Sequence, residues 1–93
     1  MGEFRMFKYP LFDMREMGRE DSVTVTMSVL PKIAHLAMQG GWVTLWCVND
    51  SDMPPVSVNF LVVGTGMLIP RDAAYIGTVM DRGFVWHVFE VPA

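Results

Sequence analysis

Cysteine and histidine are scarce in this chain. Its 93 residues include one cysteine, Cys47, and two histidines, His35 and His87. One thiol cannot close an intramolecular disulfide, and a structural zinc site usually takes at least two thiolates. Two histidines are too few for another metal site unless several carboxylates converge on them. We therefore expect no metal and no cofactor.

Charged residues are scarce as well, and residues of like charge are not clustered. Charged residues make up 18% of the chain and the net charge is −3. Four of the seven Lys and Arg lie in residues 1–19, where acidic residues alternate with them. A nucleic-acid surface needs its basic residues on one face to meet the phosphates. Duplex nucleic acid is therefore not an expected partner.

Long apolar runs are missing too. A membrane-spanning helix needs about 20 predominantly apolar residues, and the best candidate, residues 60–70, is interrupted by Gly64-Thr65-Gly66. The first residues carry mixed charges and lack the apolar region of a signal peptide. We expect no membrane association and a cytoplasmic location, which a single cysteine also fits.

Hydrophobic residues, by contrast, make up 52% of the sequence. A chain this apolar is expected to fold, and its length predicts one domain over residues 1–93. The apolar excess and the open sheet edges expected of a small β-domain also predict a homo-oligomer.

Alternating residues and turn signals predict an all-β fold. Turn residues recur every 8–12 positions, as in a small antiparallel sandwich or a partly open barrel of about seven strands. The predicted strands are Glu3–Tyr9, Ser22–Ser28, Lys32–Gln39, Trp42–Val48, Val56–Val63, Ala74–Met80 and Phe84–Val91.

Gly40-Gly41 predicts a two-residue hairpin turn. The expected pairs are Gln39–Trp42, Ala37–Thr44, His35–Trp46 and Ile33–Val48. Since side chains alternate, one face becomes wholly apolar and should be core. That face holds Ala34, Leu36, Met38, Val43, Leu45 and Cys47.

Asp81-Arg82-Gly83 predicts a second hairpin, with a three-residue loop. The expected pairs are Met80–Phe84, Thr78–Trp86 and Ile76–Val88. In this register Gly77 lies opposite His87 and leaves space beside the imidazole. Both faces are rich in aromatic residues, which favours a central place in the sheet.

Short motifs follow one another along most of the chain. They are Phe7-Lys8-Tyr9-Pro10-Leu11, Gln39-Gly40-Gly41, Leu45-Trp46, Gly64-Thr65-Gly66, Tyr75-Ile76-Gly77-Thr78 and His87-Val88-Phe89-Glu90. In this order they resemble a family of small uncharacterised proteins encoded by tailed phages and prophages, described only as a domain of unknown function. The resemblance implies a phage origin and an accessory role inside the host cell. It implies no catalytic residue.

Catalytic groups are hard to assemble from this sequence. The first hairpin register places His35 and Cys47 on opposite faces, which excludes that dyad, whereas a Cys47–His87 pair stays open. Gly64-Thr65-Gly66 follows a strand but lacks the third glycine and the helix of a nucleotide-binding loop. It is either a plain turn or a loop whose amides contact an anion with help from Arg71.

An aromatic group on the first hairpin is the best binding candidate. Trp42, Trp46 and His35 share one face, which either a second sandwich layer covers or a partner contacts. The Phe4–Tyr9 strand is the other segment to consider. The full set of candidate binding residues is Trp42, Trp46, His35, Gly64, Thr65, Gly66, Arg71, Tyr75 and His87.

These observations favour stoichiometric binding over catalysis. As a phage accessory protein, the chain is expected to bind a host protein, for instance to inhibit a host enzyme or a defence complex. Two alternatives stay open. One is a sponge for a small nucleotide signal, held by aromatic stacking and by Arg71 near the Gly64–Gly66 loop. The other is a minor virion or assembly protein.

Overall fold

Every regular element in the described part of the chain is a β-strand. The computed structural model describes residues 3–15, 20–28, 32–50 and 52–92. The strands are β1 (Phe4–Asp13), β2 (Glu20–Ser28), β3 (Lys32–Gln39), β4 (Trp42–Asp50), β5 (Pro55–Gly64), β6 (Ala74–Asp81) and β7 (Phe84–Val91). The predicted all-β class is confirmed, and the observed strands differ from the predicted ones only at their ends.

The strands form two antiparallel sheets. The first has the order β1-β4-β3 and the second has the order β2-β5-β7-β6. The sheets face each other, with β1 near β2 and β3 near β6. Each sheet keeps two edge strands, so the architecture is an open sandwich and not a barrel.

The core lies between the sheets and follows from the alternation within the central strands. Val43, Leu45 and Cys47 of β4 are fully buried and face the second sheet. Phe60 and Val62 of β5 meet them from the opposite side. The apolar face predicted for the first hairpin is therefore core along β4.

Cys47 lies in this core as a free thiol. Burial raises its pKa from 9.0 to about 11, because a thiolate loses its hydration there. We expect the native protein to resist a thiol reagent at pH 8 and to react once unfolded. The folded pKa is the higher one, so this contribution to stability is complete below pH 9 and is lost as the pH rises toward 11. Fast labelling under native conditions would contradict this placement.

The β3–β4 hairpin matches the prediction near its turn. Gly40 and Gly41 both have positive φ, and three expected pairs are present: Gln39–Trp42, Ala37–Thr44 and His35–Trp46. Further along, a bulge at Ala34 shifts the register. The expected Ile33–Val48 pair is therefore wrong, since Ile33 pairs with Cys47. Ala34, expected in the core, is exposed at the bulge.

The loop predicted for the β6–β7 hairpin is one residue too long. Arg82 and Gly83 have φ values of 48° and 87°, and Asp81 pairs with Phe84. Positive φ at both central positions is the geometry that suits a two-residue hairpin turn. Arg82 adopts a conformation that few non-glycine residues take, which the sequence does not reveal.

This shorter loop moves the whole register of the hairpin. Thr78 pairs with His87, and Gly77 pairs with Val88. The expected space at Gly77 beside His87 is therefore wrong. A Cβ on Gly77 would lie 3.0 Å from Cδ2 of Leu36, so the glycine lets the two sheets approach closely. The hairpin is not central either, because β6 is an edge strand.

Strand β1 continues beyond Pro10, where the prediction ended it. Proline lacks an N–H, but β1 is an edge strand and tolerates this. After a register shift at Leu11, the strand reaches Asp13, and the Met14 N–H then donates to the Gly41 carbonyl oxygen at 3.0 Å. Residues 16–19, which separate β1 from β2, lie outside the described residues.

Candidate functional site

One side of the three-stranded sheet carries two tryptophans. Side chains alternate along β4, so the burial of Val43 and Leu45 against the second sheet turns Trp42 and Trp46 to the other side. Both indoles are half-buried, and neither belongs to the side chains that pack on the core. We call this side the aromatic face. It comprises Phe4, Met6, Lys8, Lys32, His35, Trp42, Thr44, Trp46 and Val48.

Contacts within the aromatic face fix its centre. The rings of His35 and Trp46 lie 5.8 Å apart at an interplanar angle of 42°. Thr44 stands between the tryptophans on β4 and is only 1% exposed. Its hydroxyl donates to the Trp42 carbonyl oxygen at 3.2 Å. Thr44 is thus buried by its neighbours although it lies on the outward side of the sheet. The aromatic side chains around it form a broad surface.

Strand β1 extends the aromatic face with exposed apolar residues. Phe4 and Met6 are 74% and 59% exposed, and Met6 pairs with Val48. Lys8 pairs with Trp46, and Lys32 pairs with Val48 from the other edge. No strand of the described residues covers this side of the sheet. Of the two readings of the tryptophan face, the structure therefore matches the exposed one.

A chain of hydroxyl and imidazole groups lies on the outer side of the four-stranded sheet. His87 contacts the Thr65 hydroxyl through Nε2 at 2.8 Å and the Thr78 hydroxyl through Nδ1 at 2.9 Å. The Tyr75 hydroxyl is bonded in turn to that of Thr78. Both imidazole nitrogens are engaged, so these two contacts hold His87 in one orientation.

Thr78 was missed by the sequence analysis, because the predicted register paired it with Trp86. The observed register places it opposite His87. The bulge between Tyr75 and Gly77 keeps Tyr75 on the same side, where its ring meets Phe89 edge-on at 5.6 Å. Thr78, which no sequence signal marked, thus joins Tyr75 to His87, and His87 is bonded directly to Thr65.

The glycine loop after β5 forms a turn. Gly66 has a φ of 90°, and the Met67 N–H donates to the Gly64 carbonyl oxygen at 3.3 Å. Arg71 belongs to a separate turn, closed by a hydrogen bond from the Ala73 N–H to the Pro70 carbonyl oxygen. The structure shows the plain turn, and anion contact by this loop with Arg71 stays a prediction.

A cleft lies beside this turn at one end of the four-stranded sheet. Its volume is about 390 Å³. The rings of Phe84 and Trp86 line it, stacked at 27° with their centroids 6.0 Å apart. The remaining lining residues are Gly64, Thr65, Met67, Gly83 and Val85. Sequence analysis did not mark the Phe84–Trp86 pair, although their i, i+2 spacing on one strand is a usable signal.

The described residues form neither a Cys47–His87 pair nor a metal-binding cluster. Cys47 is in the core, whereas His87 is on the outer side of the other sheet, so the pair left open by the sequence does not form. Within residues 3–15, 20–28, 32–50 and 52–92, no group of three or more metal-binding side chains converges. The described residues also contain no helix with the length and hydropathy that a membrane crossing requires.

Asn49 is a buried polar residue directly after the predicted end of its strand at Val48. It belongs to β4, is 1% exposed, and donates from Nδ2 to the Tyr9 hydroxyl. Its Oδ1 has no hydrogen-bond partner among the described residues. The Tyr9 hydroxyl is therefore the one described group that satisfies this amide.

We expect Tyr9→Phe to lower the free energy of unfolding by about 1–3 kcal/mol, because it leaves the buried Asn49 amide without an acceptor. The double variant Tyr9→Phe/Asn49→Leu should be more stable than Tyr9→Phe alone, since it removes the stranded polar group. Urea unfolding of the original protein, Tyr9→Phe, Asn49→Leu and the double variant measures these differences. Additive losses in the double variant would contradict the pairing.

Comparison with known proteins places the chain in a family. A family model described as Domain of unknown function (DUF7352) matches residues 4–93, which is nearly the whole sequence. The chain belongs to the DUF7352 family. The predicted membership of an uncharacterised family is thereby confirmed. Searches of curated proteins and of solved structures find no match.

Proposed function

We propose that this DUF7352 protein acts by binding another protein through the aromatic face, without catalysing a reaction. The observation that supports the proposal is the outward position of Trp42 and Trp46, away from the core. Tryptophan is enriched among the residues that dominate binding energy at protein interfaces. Phe4 and Met6 continue the apolar area along β1.

Charge indicates the chemistry of the partner. The aromatic face carries charges of both signs, because Lys8 and Lys32 lie on its two edge strands while Asp13 pairs with Trp42 and Asp50 pairs with Phe4. A partner that matches this pattern has an apolar patch bordered by both carboxylates and basic groups. Such complementarity speeds encounter and orients the docked proteins.

The resemblance to phage-encoded proteins supports a host protein as the partner and the host cytoplasm as the location. An inhibitor of a host enzyme or of a defence complex would need only such a contact surface. A second copy of the chain is the alternative occupant of the aromatic face, as the expected homo-oligomer requires. A place in the virion is a further alternative, which detection in purified particles would support.

Position-specific cross-linking tests the proposal. A photo-reactive residue is introduced at Met6, on the aromatic face, and separately at Met80, which is 74% exposed on the outer side of the other sheet. Both proteins are irradiated in lysate of a bacterial host. We expect one dominant adduct from the Met6 position and none of the same mass from Met80.

Three outcomes would overturn this assignment. Adducts of the same mass from both positions would show that contact is not specific to the aromatic face. An adduct with the mass of two copies of the chain would assign the face to self-association. No adduct from Met6, with the protein folded by circular dichroism, would leave the face without a partner in that host.

A further inference from the structure

The cleft next to the β6–β7 turn is separate from the aromatic face and has its own chemistry. It lies at the end of the four-stranded sheet, and its volume of about 390 Å³ is within the usual range of small-molecule sites. Two of its lining residues, Gly64 and Gly83, have no side chain, which keeps the cleft open to solvent. A Cβ on Gly83 would meet nothing within 4 Å, so this side is open.

The aromatic pair gives the cleft a flat surface. Phe84 and Trp86 alternate with Val85 on β7, and their rings are nearly parallel. Trp86 is anchored by packing on the core, whereas Phe84 is 63% exposed. An exposed ring held parallel to an anchored one is a ready platform on which another planar ring can stack.

Thr65 borders the cleft, but its hydroxyl does not face the aromatic pair. The hydroxyl is bonded to His87 Nε2 at 2.8 Å on the outer side of the sheet, whereas Trp86 packs on the core side. Stacking on Phe84 and Trp86 is therefore the interaction that the cleft offers to a ligand.

Charge limits what the cleft can hold. None of the described residues that line it is charged, and the chain has a net charge of −3. A phosphate group would find no cation in this lining. Phosphate binding by the Gly64–Gly66 turn with Arg71 would be a different site.

We propose that this cleft binds an uncharged purine or pyrimidine ring, as a free base or as a nucleoside. The ring stacks on Phe84 and Trp86. Free base and nucleoside share this chemistry and are distinguished by the probe. The inference does not depend on the proposed protein partner, because the two sites are on different sheets.

The test is a titration followed by NMR of the three indole N–H signals, assigned with single Trp→Phe variants. The probes are adenine, adenosine and adenosine monophosphate, with uracil and uridine as pyrimidine counterparts. We expect the Trp86 signal to shift with at least one base or nucleoside, while the signals of Trp42 and Trp46 stay in place. The monophosphate should bind several-fold more weakly than the nucleoside.

Variants of the lining show whether the shift arises in the cleft. Gly64→Leu should abolish binding, since even a Cβ there lies 3.7 Å from the Trp86 ring. Phe84→Leu, at an exposed position, should weaken binding about tenfold through lost stacking. Thr65→Val should leave it within about twofold, because the Thr65 hydroxyl faces His87 on the outer side of the sheet.

The results separate cleanly. No Trp86 shift at millimolar probe in a folded protein would overturn the proposal, and so would equal shifts of all three indoles. Tighter binding of the monophosphate than of the nucleoside would overturn the proposal that the ligand is uncharged. Since Phe84→Leu alters an exposed side chain, it remains informative if Gly64→Leu fails to fold.

Discussion

Replacing Trp46 with alanine is expected to weaken binding of the partner cross-linked through Met6 by at least about 30-fold, equivalent to about 2 kcal/mol. Trp46 is the centre of the aromatic face, in ring contact with His35 and next to the buried Thr44. Truncation removes the largest side chain there and exposes Thr44 to water. Calorimetric titration of both proteins with the purified partner measures the loss.

The matched control is Tyr75→Ala. Tyr75 is 62% exposed, but it lies on the outer side of the other sheet. Its removal should leave the affinity within about twofold of that of the original protein. Trp46→Phe should fall between the original and the alanine variant. Equal affinities for the original protein and Trp46→Ala would reject the aromatic face as the contact surface.

Replacing Phe60 with alanine is expected to lower the free energy of unfolding by about 3–5 kcal/mol. Phe60 is 1% exposed and is the largest fully buried side chain in the described residues. Its ring fills the space between the sheets, and the backbone strands cannot collapse into the cavity. A small domain is stable by only about 5–15 kcal/mol, so the loss is a large share of the total.

Thermal unfolding compares the loss in Phe60→Ala with the effect of the same substitution at an exposed position. Phe4→Ala removes a phenylalanine ring that is 74% exposed, and it should alter stability by no more than about 0.5 kcal/mol. Phe60→Ala should lower Tm by roughly 15–30 °C. Similar Tm values for the two variants would contradict the placement of Phe60 in the core.

The first hairpin was predictable because its turn and its alternation agree. Gly40-Gly41 specifies a two-residue turn, and the apolar residues Leu36, Val43 and Leu45 fall on one side in only one register. The bulge at Ala34 was not predictable, since no residue type there demands it. Its consequence is limited to one end of β3.

The candidate site was predictable in part. Grouping Trp42 with Trp46 and His35 needed only the correct hairpin register, and the structure brings the three together. Joining Tyr75 to His87 needed Thr78, which the wrong register of the second hairpin turned to the opposite face. Residues on both faces of that hairpin are apolar, so a one-residue shift carries no penalty visible in the sequence.

The sequence by itself determined the all-β class, the approximate strands and the β3–β4 pairing, because a period of two and a double glycine are local properties of the chain. The tertiary structure decided which side of the β6–β7 hairpin became core. It also decided the turn at Arg82, where the register that buries Val79 and Val88 and sets Gly77 against Leu36 requires positive φ. Packing between two sheets involves residues far apart in the sequence, so no local pattern expresses that choice.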